Sequence, residues 1–403
     1  MKKRISYVLF LLLIVFLLGC QNEQIQPDVT RPKETEPTAT YDWMAGESPV
    51  ENVRMGVTRV GVNKVYHAVS STGVYFMGKE SKSSDPYIWY VDNGTDTLVK
   101  LCGRPDCVHD SSDCNAYVYE GTLLSYYEGH LYAVSGSNSD EECKLLRMDP
   151  DGSNRVTALD LLSFAKENGG EWVTCEMITE GYLLFHTGIY EKEVNGTTQT
   201  LRPKELEYYL YKLDGSKGAP VIQKTSGALY NCGDVVLGLS LETRNGGEYG
   251  SLWKIDLEAD TATYLTDHPG EPGCFGEEEG YYFRDGAICR LTYETQEEQI
   301  MVDTGLQGDY FLFTFPDMMV VASRGFELTD NHFYIYNWDF QLVDTIEIDC
   351  EEYEFYYGLQ HMLIAETAER LILSDGLLGF PRYYIDKSDL GKGNVEIHEF
   401  KYG

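Results

Sequence analysis

The chain has 403 residues, 65 acidic against 32 basic side chains and a formal net charge of −33. With 43% hydrophobic and 13% aromatic residues it has material for a core, which excludes global disorder, and its acidity repels phosphate backbones, which excludes nucleic acid as a partner. Tyrosine (31) and glycine (39) are abundant, a mixture that favours many short strands joined by tight turns over helices.

The chain begins with a processing signal. Lys2, Lys3 and Arg4 form a basic start, and Val8 to Leu18 are apolar without a break. Eleven apolar residues are too short for a permanent membrane helix. The run closes on Leu17, Leu18, Gly19 and Cys20, which resembles the lipobox of bacterial lipoproteins. That resemblance implies cleavage after residue 19, lipidation of Cys20 and a lipid-anchored protein on the extracytoplasmic face of a bacterial cell membrane. Cleavage would remove three basic residues and no acidic one, taking the net charge from −33 to −36. Residues 20–49 are rich in Gln, Glu, Pro and Thr and read as a disordered tether, because such a composition cannot bury enough surface to fold.

From about residue 50 to residue 403 the pattern is that of strands. The single helical signal is Asp160 to Asn168, short and placed in a connection. Two strand signals alternate, seven times each. The first is an apolar run, usually opened by glycine: Gly73 to Gly78, Gly129 to Val134, Gly181 to Phe185, Gly233 to Gly238, Gly280 to Phe283, Met318 to Ala322 and Arg370 to Leu373. The second is four strand-like residues closed by a turn former, at Asp92, Asp149, Asp214, Asp256, Thr292, Asn337 and Asp386. These closing positions span 294 residues in six intervals, a mean of 49. An extended run follows each second signal, as at Arg155 to Leu159, and another precedes each first signal, as at Ala116 to Tyr119 and Leu229 to Tyr230.

Four strands every 49 residues point to an all-β chain, a β-propeller of about seven four-stranded blades, with six or eight still open and the termini able to share a strand. One twisted sheet cannot cover both of its faces alone; radial packing against neighbours does so, and closing the ring protects the edges. A pair of β-sandwiches would need a linker near the middle, and the sequence offers none.

Leu101 to Asn115 holds the sharpest chemistry: Cys102, Cys107, His109 and Cys114, three sulfurs and an imidazole within thirteen residues. Cys₃His is a legitimate tetrahedral zinc set, and Pro105 helps turn the chain so that ligands converge. The C-x₄-C-x-H-x₄-C spacing departs from the usual finger, and an extracytoplasmic address favours a disulfide, with the third cysteine pairing elsewhere, for instance to Cys143. The set therefore stands as a candidate disulfide or metal cluster, with structural zinc as the sole cofactor in prospect. Cys175, Cys232, Cys274, Cys289 and Cys350 are scattered among strands and read as small core residues. The repeated Gly-x-Leu-Tyr strands, the Asp-Gly turn between third and fourth strands and this cysteine stretch together resemble extracytoplasmic bacterial propeller lipoproteins of unknown function, common in anaerobic Gram-positive bacteria. The resemblance implies a lipid-anchored propeller and transfers no activity.

Other motifs read as structural. Asp149 to Arg155 resembles a calcium loop, but Gly152 stands two places early and Arg155 replaces an oxygen ligand, so a turn is expected. His130, His186 and His332 read as packing or surface residues, and Trp89, Trp253 and Trp338 as packing between blades. The acidic runs at Glu277–Glu279, Glu297–Glu298 and Glu351–Glu352 read as solvated charge. The polar insert Ile189 to Glu207 reads as a long projecting loop. No catalytic motif is present, which favours a binding or scaffold module for a protein, peptide or glycan. The alternative is a carboxylate-dependent polysaccharide hydrolase or lyase with its site in the central funnel.

Overall fold

A computed structural model describes residues 58–59 and most of 67–403; stretches 80–85, 137–141, 214–227, 268–270, 324–329, 350–358 and 375–379, with isolated positions elsewhere, lie outside the description. The expected leader (residues 1–19) and tether (residues 20–49), with Cys20, and Asp214, Glu277, Cys350, Glu351 and Glu352 therefore lie outside the described residues. Among the described residues no helix is long and apolar enough to cross a membrane.

The chain is an all-β propeller of seven blades. A short strand β1 (Thr58–Arg59) comes first. Blade 1 is β2 (His67–Val69), β3 (Gly73–Gly78), β4 (Tyr87–Asp92) and β5 (Thr97–Lys100); blade 2 is β6 (Leu123–Tyr127), β7 (His130–Gly136), β8 (Cys143–Met148) and β9 (Val156–Asp160). Helix α1 (Leu161–Glu167) leads into blade 3, with β10 (Trp172–Ile178), β11 (Tyr182–Asn195) and β12 (Thr198–Lys212) as its described strands. Blade 4 is β13 (Ala228–Cys232), β14 (Val235–Arg244), β15 (Gly247–Asp256) and β16 (Thr261–Asp267). Blade 5 is β17 (Glu271–Phe275), β18 (Glu279–Arg284), β19 (Ala287–Thr292) and β20 (Glu297–Asp303). Blade 6 is β21 (Tyr310–Thr314), β22 (Met319–Ser323), β23 (His332–Tyr336) and β24 (Leu342–Glu347). Blade 7 is β25 (Leu363–Glu366), β26 (Arg370–Ser374), β27 (Pro381–Asp386) and β28 (Ile397–Glu399), followed by β29 (Lys401–Tyr402). Within each blade consecutive strands pair antiparallel, and β1 adds to β13 at one edge of blade 4.

The alternating signals of the sequence are the second and third strands of each blade, and the reason lies in their burial. Along β22, Met319 and Val321 pack towards blade 5, whereas Val320 and Ala322 pack towards blade 7. Along β23, Tyr334 and Tyr336 take the first side, and Phe333 and Ile335 the second. A strand covered on both faces has no polar alternation, so it reads as a continuous apolar run. Tight turns set the spacing: Glu128–Gly129 and Asp285–Gly286 both have positive φ, the requirement of a two-residue hairpin that matches strand twist.

The helix lies where the sequence places it. The Asp160 carboxylate accepts from the Ser163 amide at 2.9 Å, and Gly169 with φ +83° turns the chain out after Asn168. Its buried Leu161, Leu162 and Ala165 join the core between blades 2 and 3. One strand expectation is corrected. Ala116 to Tyr119 is not the first strand of blade 2; that strand is β6, and residues 116–118 instead lie along the start of β4 in blade 1, bonded through Ile88 N to Ala116 O at 2.7 Å, while Tyr119 O accepts from Gly136 N at the end of β7. Its alternation buries Ala116 and Val118 against blade 1 and leaves Tyr117 half-buried and Tyr119 exposed, a pattern that looks the same in sequence as strand pairing.

The ring closes through the C-terminus. β29 leaves blade 7 and pairs parallel with β5, Lys401 opposite Thr97 and Tyr402 opposite Leu98, so the chain end forms a fifth strand on blade 1. Phe400 is buried at the junction, and Trp89 meets Phe380 edge-on at 5.3 Å across it. Trp338 also packs across blades, against Tyr281 at 5.4 Å, whereas Trp253 meets Tyr264 of its own blade.

Candidate functional site

The connection from β5 to β6 carries the cysteine-rich stretch. Both ends of it are tied to β4 or the residue just before it: Leu101 N donates to Ile88 O at 2.9 Å, and Val118 N donates to Pro86 O at 3.1 Å. Between them the backbone folds into turns that begin or end on cysteine. Cys107 N donates to Arg104 O at 3.2 Å around Pro105 and Asp106, with proline's fixed φ at the second turn position. Cys114 N donates to Ser111 O at 3.1 Å, and Tyr117 N to Cys114 O at 3.0 Å. His109 has φ +56°, a conformation that costs a residue with a Cβ about 1 kcal/mol. Its carbonyl accepts from Lys100 Nζ at 3.3 Å, and its ring Nδ1 lies 3.4 Å from the Cys114 sulfur.

These turns bring the four side chains together. The sulfurs of Cys102, Cys107 and Cys114 and a ring nitrogen of His109 all lie within 4.8 Å of one another. All three cysteines are free thiols; Cys114 is buried and the other two are half-buried. Burial disfavours the Cys102 thiolate, yet the amides of Arg104 and Asn115 and hydrogen bonds from the other two thiols outweigh it, so its pKa falls below the ordinary value. Burial drives the Cys114 thiol the other way, up to about 12.

The loop is docked on the β8–β9 turn of blade 2. Arg155 Nη1 donates to the carbonyls of Cys114, Asn115 and Tyr117 at 3.1, 3.0 and 2.7 Å, and Asn115 Nδ2 donates to Gly152 O at 2.8 Å. Gly152 has φ +79°, and a Cβ there would stand 2.5 Å from Leu101 O. The Asp149–Asn154 carboxylates serve that turn: Ser153 N donates to Asp151 Oδ1 at 2.8 Å and Asn154 Nδ2 to Asp149 Oδ2 at 2.6 Å. In the sequence Arg155 reads as the start of an extended run and as the residue that spoils a calcium loop. Its actual partners are 38 to 41 positions earlier in the chain.

Cys143 stands elsewhere. It is a buried free thiol in β8, packed in the cluster between blades 2 and 3 with Leu123 and Leu145, and its sulfur faces Gly136 O at 3.9 Å. A pairing with the 102–114 loop is therefore not what the fold provides. Cys274 and Cys289 are buried core residues, and Cys175 packs half-buried at the edge of the core.

Two buried polar clusters escaped sequence reading. Asp330 accepts from Tyr310 and Tyr334 hydroxyls at 2.7 and 2.8 Å and lies 2.7 Å from His332 Nδ1, so all of its oxygens are engaged in blade 6. Burial opposes its charge, but these donors outweigh it and hold its pKa below the ordinary carboxylate value. Between blades 6 and 7, buried Lys387 donates to Asp317 at 3.0 Å and to Glu366. Burial pushes Glu366 up to about 7 against the pull of Lys387. A lysine held on both carboxylates occupies the atoms that a glycosidase acid and base would need free. Of the acidic runs, Glu279 accepts from Tyr281 at 2.8 Å and Glu298 from Tyr282 and Arg284, so these are partly structural rather than merely solvated.

The insert of blade 3 is not a loop. From Ile189 to Asn195, β11 stays paired with β12, ending at Asn195 opposite Thr198, with one bulge after Ile189. The first strand of that blade pairs only with β11 up to Gly188. Blade 4 repeats the device: β14 and β15 remain paired to Arg244 opposite Gly247, while β13 reaches only Leu239. The sequence of this insert is polar, and polar residues are compatible with a ribbon whose backbone groups pair with each other.

No protein-family model matches the chain, and no curated protein matches it. Solved structures with a similar fold include the Dos1 propeller, with 10% identity, a TM-score of 0.42 and coverage of 88% of this chain and 98% of that one. The computationally designed Ika8 protein has 11% identity, a TM-score of 0.40 and the same coverage. TolB from Acinetobacter baumannii has 13% identity, a TM-score of 0.37 and coverage of 69% and 64%.

Proposed function

We propose that this protein is a membrane-anchored extracytoplasmic β-propeller that acts as a binding or scaffold module for a protein, peptide or glycan. The observation that carries the reading is the pair of extended hairpins on successive blades. The β11–β12 ribbon runs seven residues beyond the end of β10 pairing, about 24 Å at the usual strand rise. The β14–β15 ribbon runs five residues beyond β13, about 17 Å. Both leave their blades at the connection between second and third strands, which places them on the same side of the ring. A two-stranded ribbon alone is marginal in water, so such arms are poor investments for stability and good ones for reach. Pro203, opposite Tyr190, removes one backbone donor near the bulge and discourages edge-to-edge self-pairing. The acidity of the chain favours partners with basic patches or bound cations.

Two measurements test the proposal. Changing Cys20→Ala moves the protein from the membrane fraction to the medium if the anchor is real. Replacing residues 190–203 by a two-residue turn leaves the melting temperature of the ring unchanged and abolishes the protein's in-cell cross-links. Unchanged cross-links after that deletion would refute the arm as the binding element. Release of reducing ends from envelope polysaccharide by the purified protein would favour the hydrolase reading instead.

A further inference from the structure

The geometry points to a closed, structural zinc-type site made by Cys102, Cys107, His109 and Cys114, which clamps blade 1 to blade 2. This lies outside the binding reading and does not depend on it. Three sulfurs and an imidazole nitrogen within 4.8 Å of one another are close to a tetrahedral set already. Zinc at about 2.3 Å from sulfur and 2.0–2.1 Å from nitrogen requires donor separations of roughly 3.5–3.8 Å, so closure from separations within 4.8 Å needs a contraction of about 1.3 Å at most. Side-chain rotation supplies that.

A disulfide explains the arrangement less well. Three sulfurs make one bond between two of them and leave the third sulfur and the ring without a role. It also gives no reason to hold His109 at φ +56° with its ring 3.4 Å from Cys114. A metal uses all four groups. The surroundings fit the charge as well. Zinc with three thiolates and a neutral imidazole carries a net charge of about −1. Arg155 bonds to the carbonyl of Cys114 and has no carboxylate ion pair among the described residues, and Lys100 bonds to the carbonyl of His109. Two cations thus flank a site that becomes anionic only when loaded. Four protein ligands leave no open position for water or substrate, so the site is structural and not hydrolytic.

The consequence is mechanical. The loop from 101 to 118 has few buried apolar side chains of its own, and its fold rests on turns. A metal fixes the turns, and Arg155 and Asn115 pass that order to the β8–β9 turn. The ring then has two fasteners on blade 1: β29 on one side and this loop on the other.

The test uses the purified full chain, reduced and equilibrated with buffered zinc, then freed of excess. Elemental analysis should find one zinc per chain, and cobalt(II) in its place should show the visible ligand-field and thiolate charge-transfer bands of a tetrahedral site. Cys107→Ser and Cys114→Ser should each lose the bound metal, while Cys289→Ser should retain it. Arg155→Met, which touches no ligand atom, should weaken zinc affinity by about 10–100-fold. Circular dichroism on every variant separates loss of metal from loss of fold; a variant that unfolds is replaced by selective alkylation of the three thiols, which zinc must slow in the native chain. Less than about 0.1 zinc per chain with reduced thiols, zinc retained by both serine variants, or a disulfide between any two of Cys102, Cys107 and Cys114 that persists in native preparations would each overturn the inference.

Discussion

Arg155→Met is the sharpest probe of how blades 1 and 2 are joined. Methionine keeps the length and apolar stem of the side chain and removes the guanidinium. One Nη carries two hydrogens, so the carbonyls of Cys114, Asn115 and Tyr117 share two protons rather than taking three full bonds. At about 1.5 kcal/mol for each hydrogen bond to a charged donor, the loss is about 3 kcal/mol. A ring of this size unfolds with an entropy of roughly 0.7 kcal/mol/K, so the melting temperature should fall by about 4 °C. Calorimetry measures the shift, and hydrogen exchange locates it: protection should be lost between residues 101 and 118 before the strands of blade 1. Arg155→Lys should recover about half, since one ammonium cannot fork across the same carbonyls. A melting temperature within 1 °C of the unaltered protein, with loop protection intact, would refute the idea that Arg155 docks the loop.

Three further outcomes follow from the same geometry. Gly152→Ala should cost at least about 2 kcal/mol, because the new Cβ meets Leu101 O in a left-handed backbone, whereas Gly129→Ala, with open space around it, should cost only about 1 kcal/mol in urea unfolding. Ending the chain at Glu399 removes buried Phe400 and the closing strand; it should cost about 3–5 kcal/mol from the lost aromatic and expose β5 as an edge, seen as a lower melting point and as association by light scattering. For Glu366 the folded pKa of about 7 exceeds the ordinary value, so its contribution is fully present below about pH 4.5 and is lost as pH rises through 7. That amounts to about 3 kcal/mol at most, and Glu366→Gln should flatten the stability difference between pH 4.5 and 8 in urea titrations; a parallel pH profile in both proteins would refute it.

Much of the ring was legible in the chain alone. The second and third strands announce themselves where they are covered on both faces, as in blade 6: Met319 to Ser323 and His332 to Tyr336 are wholly buried, and all but the end residues Ser323 and His332 are apolar or aromatic. The first strands were harder. Ala116 to Tyr119 imitates one, since docking along β4 asks for the same extended, alternating residues as pairing within a blade. The insert at Ile189 to Glu207 misled for the opposite reason: a ribbon outside the core has no hydrophobic face to declare it, and backbone pairing leaves no trace in composition.

The site divides the same way. Local sequence determined that Cys102, Cys107, His109 and Cys114 are near one another, because thirteen residues with Pro105 and several turn formers cannot separate them far. It also determined the repeat and the acidity. Tertiary structure alone decided that all four donors converge, that Cys143 belongs to another core, and that Arg155 from the next blade supplies the facing cation. The physical reason is range. Periodicity, turn chemistry and burial act over a few residues and leave a pattern in the chain, whereas a contact across 40 residues, or a closure that joins residue 402 to residue 98, exists only after the ring has formed.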